Sequence, residues 1–273
     1  YSHLKMVMAV GLVMGLHAAY EIVIGGVEIR LGILLTYLPV SMLYILSMAM
    51  GYLGLRYIEL SISSPICNSS GAIVAVLTFA TAGVGEDPPP LALAAVALVC
   101  AGVIALGITE SREDEALRRA RQDASNHHYA KSWLAIAIPI IYCLLDALGT
   151  FADSCVLETL SEDAANTAYE LTFFAVGIVC AIYVLGIKKQ KLIARQEAPK
   201  YTGAVFETIG QFFYICALAD TEHVAFAAPI ISSYCAASVL WSRIFLKEKL
   251  SWKHYAMIAL IVAGIAIMGV FDL

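Results

Sequence analysis

The chain has 273 residues, of which 60% are hydrophobic and 14% charged, and its formal net charge is −5. A soluble domain of this length carries nearer to ~25% charged residues, so the composition excludes an ordinary soluble globular protein. Its seven cysteines stand singly in apolar runs, without the paired spacing of a zinc or disulfide framework. No cofactor, no metal and no nucleic-acid partner are expected.

Nine apolar runs follow one another along the chain, each long enough to cross a bilayer as a helix of ~20 residues. They cover residues 4–24, 31–54, 62–83, 89–108, 133–155, 164–187, 202–219, 223–245 and 252–271. We therefore predict an all-α polytopic membrane protein. The first run is too long for a signal peptide and has no small-residue cleavage pattern, so we interpret it as a true span.

The 17 Lys and Arg residues lie almost entirely in alternate gaps between these runs. If successive gaps face opposite sides of the membrane, one side receives every basic residue except Arg30. That side holds Lys5, Arg56, the basic residues of 112–131, Lys188, Lys189, Lys191, Arg195, Lys200, Arg243, Lys247, Lys249 and Lys253. The positive-inside rule makes this side the cytoplasm. We therefore predict a multi-pass protein of the cell (inner) membrane, with segment 109–131 in the cytoplasm and the C-terminus outside.

Short motifs recur in the same order in the two halves of the chain, which indicates an internal repeat. AVGLV at 9–13 resembles AVGIV at 175–179, SSPICNSS around Pro65 resembles AAPIISSY around Pro229, and AGVIALG at 101–107 resembles AGIAIMG at 263–269. The offsets are 166, 164 and 162 residues, so the first run pairs with the sixth. Five helices per half would make the repeat inverted, as in many secondary transporters, and we expect one upstream helix to be missing.

The second half closes with a proline-bearing helix rich in small polar residues, the basic turn FLKEKLSWKHY at 245–255, and a last helix with spaced glycines. This order resembles the end of the second repeat in EamA-type members of the drug/metabolite transporter superfamily, and the resemblance covers nearly the whole chain. It implies ten helices in two inverted repeats, a central cavity and transport of small solutes. We expect an N-terminal repeat at 1–108, a cytoplasmic linker at 109–131 and a C-terminal repeat at 132–273.

Carboxylates inside the apolar runs are the most informative chemistry, because an ionised group near the bilayer centre costs about 2.5–3.5 kcal/mol on insertion scales. The acids concerned are Asp146, Asp153, Glu170 and Glu207, and no Lys or Arg lies within their spans. At neutral pH such an acid either stays protonated or needs a cation from outside. Asp146 and Glu207 are the favoured solute anchors, since Glu170 and Asp153 lie nearer the ends of their spans.

Polar and aromatic side chains recur at helical spacing, as Tyr142 does with Asp146 and as Tyr37 and Tyr44 do in a stripe along the second run. Aromatic rings favour an organic cation by ~0.5–2 kcal/mol, although ordinary helix packing is an alternative for the tyrosines. The predicted solute contacts are Asp146, Glu207, Gln211, Tyr214, Tyr142, Tyr44, Tyr37, Asn68, Ser232, Ser233, Tyr234 and Glu170.

Proton coupling and hinge motion have candidate residues too. Glu207, Asp146 and His17 are the candidate proton carriers; His17 shares a helix face with Tyr20 and Glu21, and a core histidine satisfied by a neighbour is the alternative. Pro65 and Pro229 are candidate hinges, because proline removes a backbone donor and disrupts the preceding turn. The adjacent His127 and His128 point in different directions on a helix and would make a poor metal pair.

The pattern as a whole predicts a secondary-active transporter that moves a small polar, cationic or zwitterionic metabolite by alternating access, and not an enzyme. One alternative is a proton-coupled exporter of neutral amino acids or aromatic compounds. Alternatives of another class are a solute sensor and an intramembrane enzyme, although neither HExxH nor GxSxG occurs. The partners are the solute, the lipid bilayer and, if transport is coupled to them, protons; a homodimer is left open.

Overall fold

The computed structural model describes residues 2–81, 90–113, 116, 119–120, 123, 133–219, 231 and 234–270, and every regular element among them is helical. The α-helices are α1 (Ser2–Val23), α2 (Leu31–Gly54), α3 (Leu60–Cys67), α4 (Ser70–Thr81), α5 (Pro90–Arg112), α6 (Leu134–Leu157), α7 (Glu162–Ala181), α8 (Ala194–Leu218), α9 (Cys235–Trp241) and α10 (Trp252–Val270). Helices α7 and α9 continue as π-helical segments, Ile182–Ile187 and Ser242–Leu246.

Six helical stretches of the described chain are long and apolar enough to cross a membrane. They are Ser2–Val23, Leu31–Gly54, Leu60–Thr78, Leu134–Leu157, Glu162–Ile187 and Trp252–Gly269, with shorter apolar helices at Leu93–Leu106 and Cys235–Leu246. The predicted all-α polytopic fold is confirmed. The predicted span 202–219 lies in α8, whose first turns carry Arg195, Glu197 and Lys200, and α8 is not among the six.

The chain forms two compact units, and each takes helices from both sides of segment 109–131. Unit 1 consists of Tyr1–Tyr52 and Ala152–Thr221, and therefore holds α1, most of α2, the end of α6, α7 and α8. Unit 2 consists of Leu53–Phe151 and Glu222–Leu273, and holds α3, α4, α5, most of α6, α9 and α10.

In unit 1, α1 packs directly on α7 through two glycines. A methyl group at Gly11 would lie 2.6 Å from the carbonyl oxygen of Phe173 and 2.9 Å from the Cα of Gly177. These are backbone atoms, so the two helices touch main chain to main chain. Small residues allow this close approach between helices in a membrane. Gly11 and Gly177 also occupy equivalent places in the repeated motifs at 9–13 and 175–179.

In unit 2, α5 and α10 make a reciprocal contact. A methyl group at Gly102 would lie 2.6 Å from the Cγ1 of Ile261, and one at Gly264 would lie 2.7 Å from the Cγ2 of Val99. The offset of 162 residues relates Gly102 to Gly264 and Val99 to Ile261, and reciprocal contacts of this kind arise at a two-fold axis. Because residue numbers rise along α5 where they fall along α10, the two helices run antiparallel.

A helical interruption separates α3 from α4, close to a proline. Pro65 lies inside α3, which ends at Cys67, and α4 begins at Ser70. The Nδ2 of Asn68 donates to the carbonyl oxygen of Ser64 at 2.8 Å, and the hydroxyl of Ser69 donates to that of Pro65 at 2.7 Å. These side-chain donors supplement the backbone hydrogen bonds at the interruption, where the Ser64 carbonyl also accepts from the backbone amide of Asn68 at 2.9 Å.

The start of α3 is fixed by a distant carboxylate. The backbone amides of Leu60 and Ser61 donate to the two carboxylate oxygens of Glu248 at 3.1 and 3.0 Å, and the hydroxyl of Ser61 donates at 2.6 Å. Glu248 is buried. An anion at this position satisfies amides that have no partner within the helix and complements the helix dipole, which ties the segment after α9 to the first turn of α3.

In unit 1, a buried carboxylate joins the starts of α1 and α8. Glu197, which precedes the predicted span 202–219, accepts hydrogen bonds from Lys5 Nζ and Lys200 Nζ, each at 2.8 Å. Burial acts to raise the pKa of Glu197, but the hydrogen bonds and charges of Lys200 and Lys5 outweigh it and lower this pKa.

We expect this carboxylate to make stability depend on acid pH. A group whose pKa is lowered by folding stabilises the folded state above its unfolded pKa, about 4.3 for glutamate, and the stabilisation is lost as pH falls through the folded pKa. Glu197→Gln should weaken that acid dependence and cost about 1 kcal/mol or less at neutral pH. Thermal unfolding in detergent across the acid range is the measurement, with Glu28→Gln, in an exposed pair with Arg30, as control. Identical pH profiles for Glu197→Gln and the wild type would refute this prediction.

Candidate functional site

Three acids lie more than three residues from either end of a described helix that is apolar enough to cross a membrane: Asp146 and Asp153 on α6, and Glu170 on α7. Their described hydrogen-bond partners are hydroxyl, imidazole and amide groups. No Lys or Arg in the described part of the chain forms an ion pair with any of the three. Each acid therefore lacks a Lys or Arg partner there, and their surroundings differ in ways that bear on function.

Asp146 lies near the middle of α6 and contacts the helix break in unit 2. Its Oδ2 accepts a hydrogen bond of 2.7 Å from the hydroxyl of Ser70, the first residue of α4. Asp146 is partly exposed, and no hydrogen bond from a described residue reaches its Oδ1. The structure thus brings this predicted anchor next to the interruption that contains Asn68, a predicted solute contact, and follows Pro65, a predicted hinge.

Asp153 is fully buried against α2 in unit 1. The hydroxyls of Tyr37 and Tyr44 donate to its Oδ1 and Oδ2, at 2.6 and 3.1 Å. The ring of Tyr44 also makes edge-to-face contacts with the rings of Tyr169 and Tyr214, with centroid distances of 5.9 and 6.1 Å. The carboxylate is therefore held within a cluster of tyrosines, two of which, Tyr37 and Tyr44, come from the stripe predicted on α2.

Glu170 is fully buried and is bound by a histidine from α1. The Nδ1 of His17 lies 2.9 and 3.0 Å from the two carboxylate oxygens, and the Nε2 of the same ring lies 3.6 Å from the Oε1 of Glu21. The Nδ2 of Asn166 donates to the Oε1 of Glu170 at 3.2 Å. His17 and Glu170 were predicted separately, as a proton carrier and a solute contact, and the structure makes them one pair.

Several buried polar atoms of unit 1 have no hydrogen-bond partner among the described residues. They are the Oγ of Ser41, the Oδ1 of Asn166, the Oγ1 of Thr167 and the Nε2 of Gln211. A buried polar atom left unpaired costs about 1–3 kcal/mol, a cost that a polar ligand can remove. Asn166 and Thr167 were not singled out from the sequence; the available signal was their place one turn before Glu170.

The remaining predicted residues divide between the two units. Glu207, Gln211 and Tyr214 are half-buried on α8 in unit 1, whereas Tyr142 is half-buried on α6 in unit 2. Tyr234, in the turn before α9, is 54% exposed. Outside the described residues lie Pro229, Ser232, Ser233, His127, His128 and most of the linker.

The predicted convergence of Asp146 and Glu207 stays a prediction, because Asp146 belongs to unit 2 and Glu207 to unit 1. In the described part of the chain, no group of three or more His, Cys, Asp or Glu side chains could hold a metal ion.

The described part of the chain has only helices as regular elements, several of them able to span a membrane, and holds acids within them that pair with no described Lys or Arg; these are features of a polytopic membrane transporter. The model of the EamA-like transporter family matches residues 133–270, which is just over half of the chain. The chain belongs to this family, and it is accordingly a multi-pass membrane transporter of the drug/metabolite superfamily. A search of curated proteins found no match.

Proposed function

We propose that this transporter moves a small cationic or zwitterionic metabolite by alternating access, and that Asp146 is its electrostatic anchor. One observation carries the proposal: Asp146 lies in an apolar helix, is partly exposed, and has a serine hydroxyl as its one described hydrogen-bond donor. An ionised carboxylate in a membrane is costly unless a positive charge compensates it. A solute cation supplies that charge.

The broken helix beside Asp146 supports a binding site at this place. Secondary transporters commonly form their solute sites where membrane helices are discontinuous. Interrupted backbone in a membrane is tolerated where it is buried in protein or lines a water-filled cavity, and such a cavity can hold a solute. Asn68 and Ser70 place polar side chains at the interruption, and Tyr142 lies one turn before Asp146 on α6. We propose Pro65 and Pro229 as the hinges that let the site change its access.

Alternating access by two inverted halves is supported by the reciprocal packing of α5 on α10. Antiparallel helices that exchange equivalent contacts, Gly102 with Ile261 and Val99 with Gly264, are expected of inverted repeats. The proposal includes two repeats, at 1–108 and 132–273, joined by a cytoplasmic linker at 109–131. It also places the protein in the inner membrane, with its C-terminus on the outer side. Glu207, Gln211, Tyr214, Ser232, Ser233 and Tyr234 are its further proposed solute contacts.

The experiment is thermal unfolding of the purified full chain in detergent with solutes matched in size but cationic, zwitterionic, neutral or anionic. A solute at 100 times its Kd raises the free energy of unfolding by ~2.7 kcal/mol. We expect stabilisation by cations or zwitterions, and its loss in Asp146→Asn, which keeps the shape and removes the charge. Glu28→Gln, which removes an exposed acid, is the matched control.

Two results would overturn the assignment. Equal stabilisation of Asp146→Asn and wild type by the same cation would remove Asp146 from the site. Stabilisation by neutral solutes alone would favour the alternative, an exporter of neutral amino acids or aromatic compounds. Glu207→Gln, measured in the same assay, tests whether the second predicted acid takes part.

A further inference from the structure

We propose that Glu170 and His17 carry a coupling proton at a site separate from the solute anchor. The inference rests on the proposed function, because it assigns the driving force of that same transport. Glu170, which the sequence predicted as a solute contact, is thereby assigned to the proton instead, so that proton and solute occupy different acids: Glu170 in unit 1 and Asp146 in unit 2. The geometry of the histidine and the surroundings of Glu170 carry the argument.

His17 lies between two carboxylates that differ in exposure. The side chains of Glu21 and His17 are 20% and 32% exposed, whereas that of Glu170 is fully buried. One imidazole nitrogen faces each acid, at 3.6 Å from Glu21 and 2.9 Å from Glu170. An imidazole can accept a proton on one nitrogen and release one from the other. The three side chains therefore form a path from a partly exposed acid to a buried one.

The proton step balances on these groups alone. The Nε2 of His17 accepts a proton from the carboxyl of Glu21 or from solvent, and the Nδ1–H of the resulting imidazolium passes to a carboxylate oxygen of Glu170. His17 returns to its neutral form, and Glu170 changes from a carboxylate to a carboxylic acid. The net result is one proton bound at a fully buried position, and the reverse sequence releases it.

Asn166 can serve both protonation states of Glu170. Its Nδ2 donates to the Oε1 of Glu170 at 3.2 Å, which suits the carboxylate. Asn166 is only 1% exposed, and the Oδ1 of the same amide is buried and has no partner among the described residues. A protonated Glu170 gains an O–H donor, and this unused acceptor belongs to the amide already in contact with it.

The other groups described near Glu170 and His17 are mainly aromatic rings, so the charge at this place depends chiefly on Glu21, His17 and Glu170. From α1, Tyr20 stacks on His17 at 6.3 Å between ring centroids, and from α8, Phe212 approaches edge-on at 6.2 Å. The thiol of Cys216 on α8 interacts with Glu162 and Asp163, at the start of α7. The Lys5–Glu197–Lys200 cluster is 12 residues away along α1, about 18 Å by helical rise.

Infrared difference spectroscopy of the reconstituted full chain during pH titration tests the proposal without any solute. We expect a carboxylic C=O band of Glu170 that appears as pH falls, is absent in Glu170→Gln and is unchanged in Asp146→Asn. His17→Gln keeps Glu170 but should move the pH midpoint of the band, which provides a second variant if Glu170→Gln fails to fold. A spectrum that is the same in wild type and Glu170→Gln, or a midpoint that His17→Gln does not move, would overturn the proposal.

Vesicle transport separates a failure of this inference from a failure of the proposed function. The probe is tetramethylammonium, a compact cation that cannot itself carry a proton. We expect Glu170→Gln to retain exchange of the probe at equal pH and to lose accumulation driven by a pH gradient, whereas Asp146→Asn should lose both. Gradient-driven accumulation retained in Glu170→Gln would refute the proton role alone, whereas exchange retained in Asp146→Asn would refute the solute anchor.

Discussion

Replacement of Gly11 by alanine is expected to lower the free energy of unfolding by about 1–3 kcal/mol and to reduce the yield of folded protein. The added methyl group would lie 2.6 Å from the carbonyl oxygen of Phe173 and 2.9 Å from the Cα of Gly177. Both are backbone atoms, which cannot turn aside as a side chain can. The α1 and α7 backbones would have to separate, and van der Waals contacts along the interface would be lost.

The measurement is the thermal midpoint in detergent, together with the monodisperse fraction after purification. Gly32→Ala in the first turn of α2 is the matched control, because nothing lies within 4 Å of the position its methyl group would take. The same chemical change should therefore be neutral there, or slightly stabilising through helix propensity. Equal midpoints for Gly11→Ala and Gly32→Ala would show that the packing of α1 on α7 described above is wrong.

Replacement of Asp153 by alanine is expected to destabilise the protein by about 1–3 kcal/mol. Asp153 is fully buried and accepts hydrogen bonds from the hydroxyls of Tyr37 and Tyr44. Without the carboxylate, both hydroxyls lose that acceptor in a place that water does not reach. The cost follows from those donors more than from the missing charge, so Asp153→Asn, which keeps one acceptor oxygen, should be milder.

A double-mutant cycle isolates this interaction. Tyr37→Phe removes the donor of the 2.6 Å bond, and in the Asp153→Ala background it should cost much less than it does in wild type. Additive losses would mean that the bond contributes nothing to stability. Solute stabilisation of Asp153→Ala should persist if Asp146 is the anchor, whereas its loss would transfer the solute site to the tyrosine cluster.

Three acids in similar apolar sequence thus have three different environments. Asp146 is partly exposed beside a broken helix, Asp153 is buried beneath tyrosine hydroxyls, and Glu170 is buried against a histidine. Environment rather than residue type sets what a carboxyl group can do. The separation of solute anchor, structural acid and proton carrier that we propose follows from these partners.

The helices and their repeat relationships could be predicted largely from local patterns. Apolar runs of sufficient length form helices in a membrane because backbone groups must be satisfied within the segment. The motif offsets also related Gly11 to Gly177, and these residues are in contact. What the offsets alone did not indicate is that equivalent helices pack on each other inside one compact unit, because a sequence repeat states similarity and not proximity.

The candidate site was predictable in its residue types and much less in its connections. Helical periodicity placed Tyr37 and Tyr44 on one face of α2, but it could not identify Asp153, 116 residues from Tyr37, as their acceptor. Glu170 was ranked below Asp146 because it lies nearer the end of its span. Burial proved to depend on lateral packing, since His17 from α1, 153 residues away in sequence, covers it.

The sequence by itself determined that this protein is helical, lies in a membrane and carries acids without basic partners in their own spans, because length, hydropathy and residue identity suffice for those properties. Only the tertiary structure decided which hydroxyl, imidazole or amide each acid meets. A helix presents several faces, and its own periodicity does not specify which neighbour covers each of them.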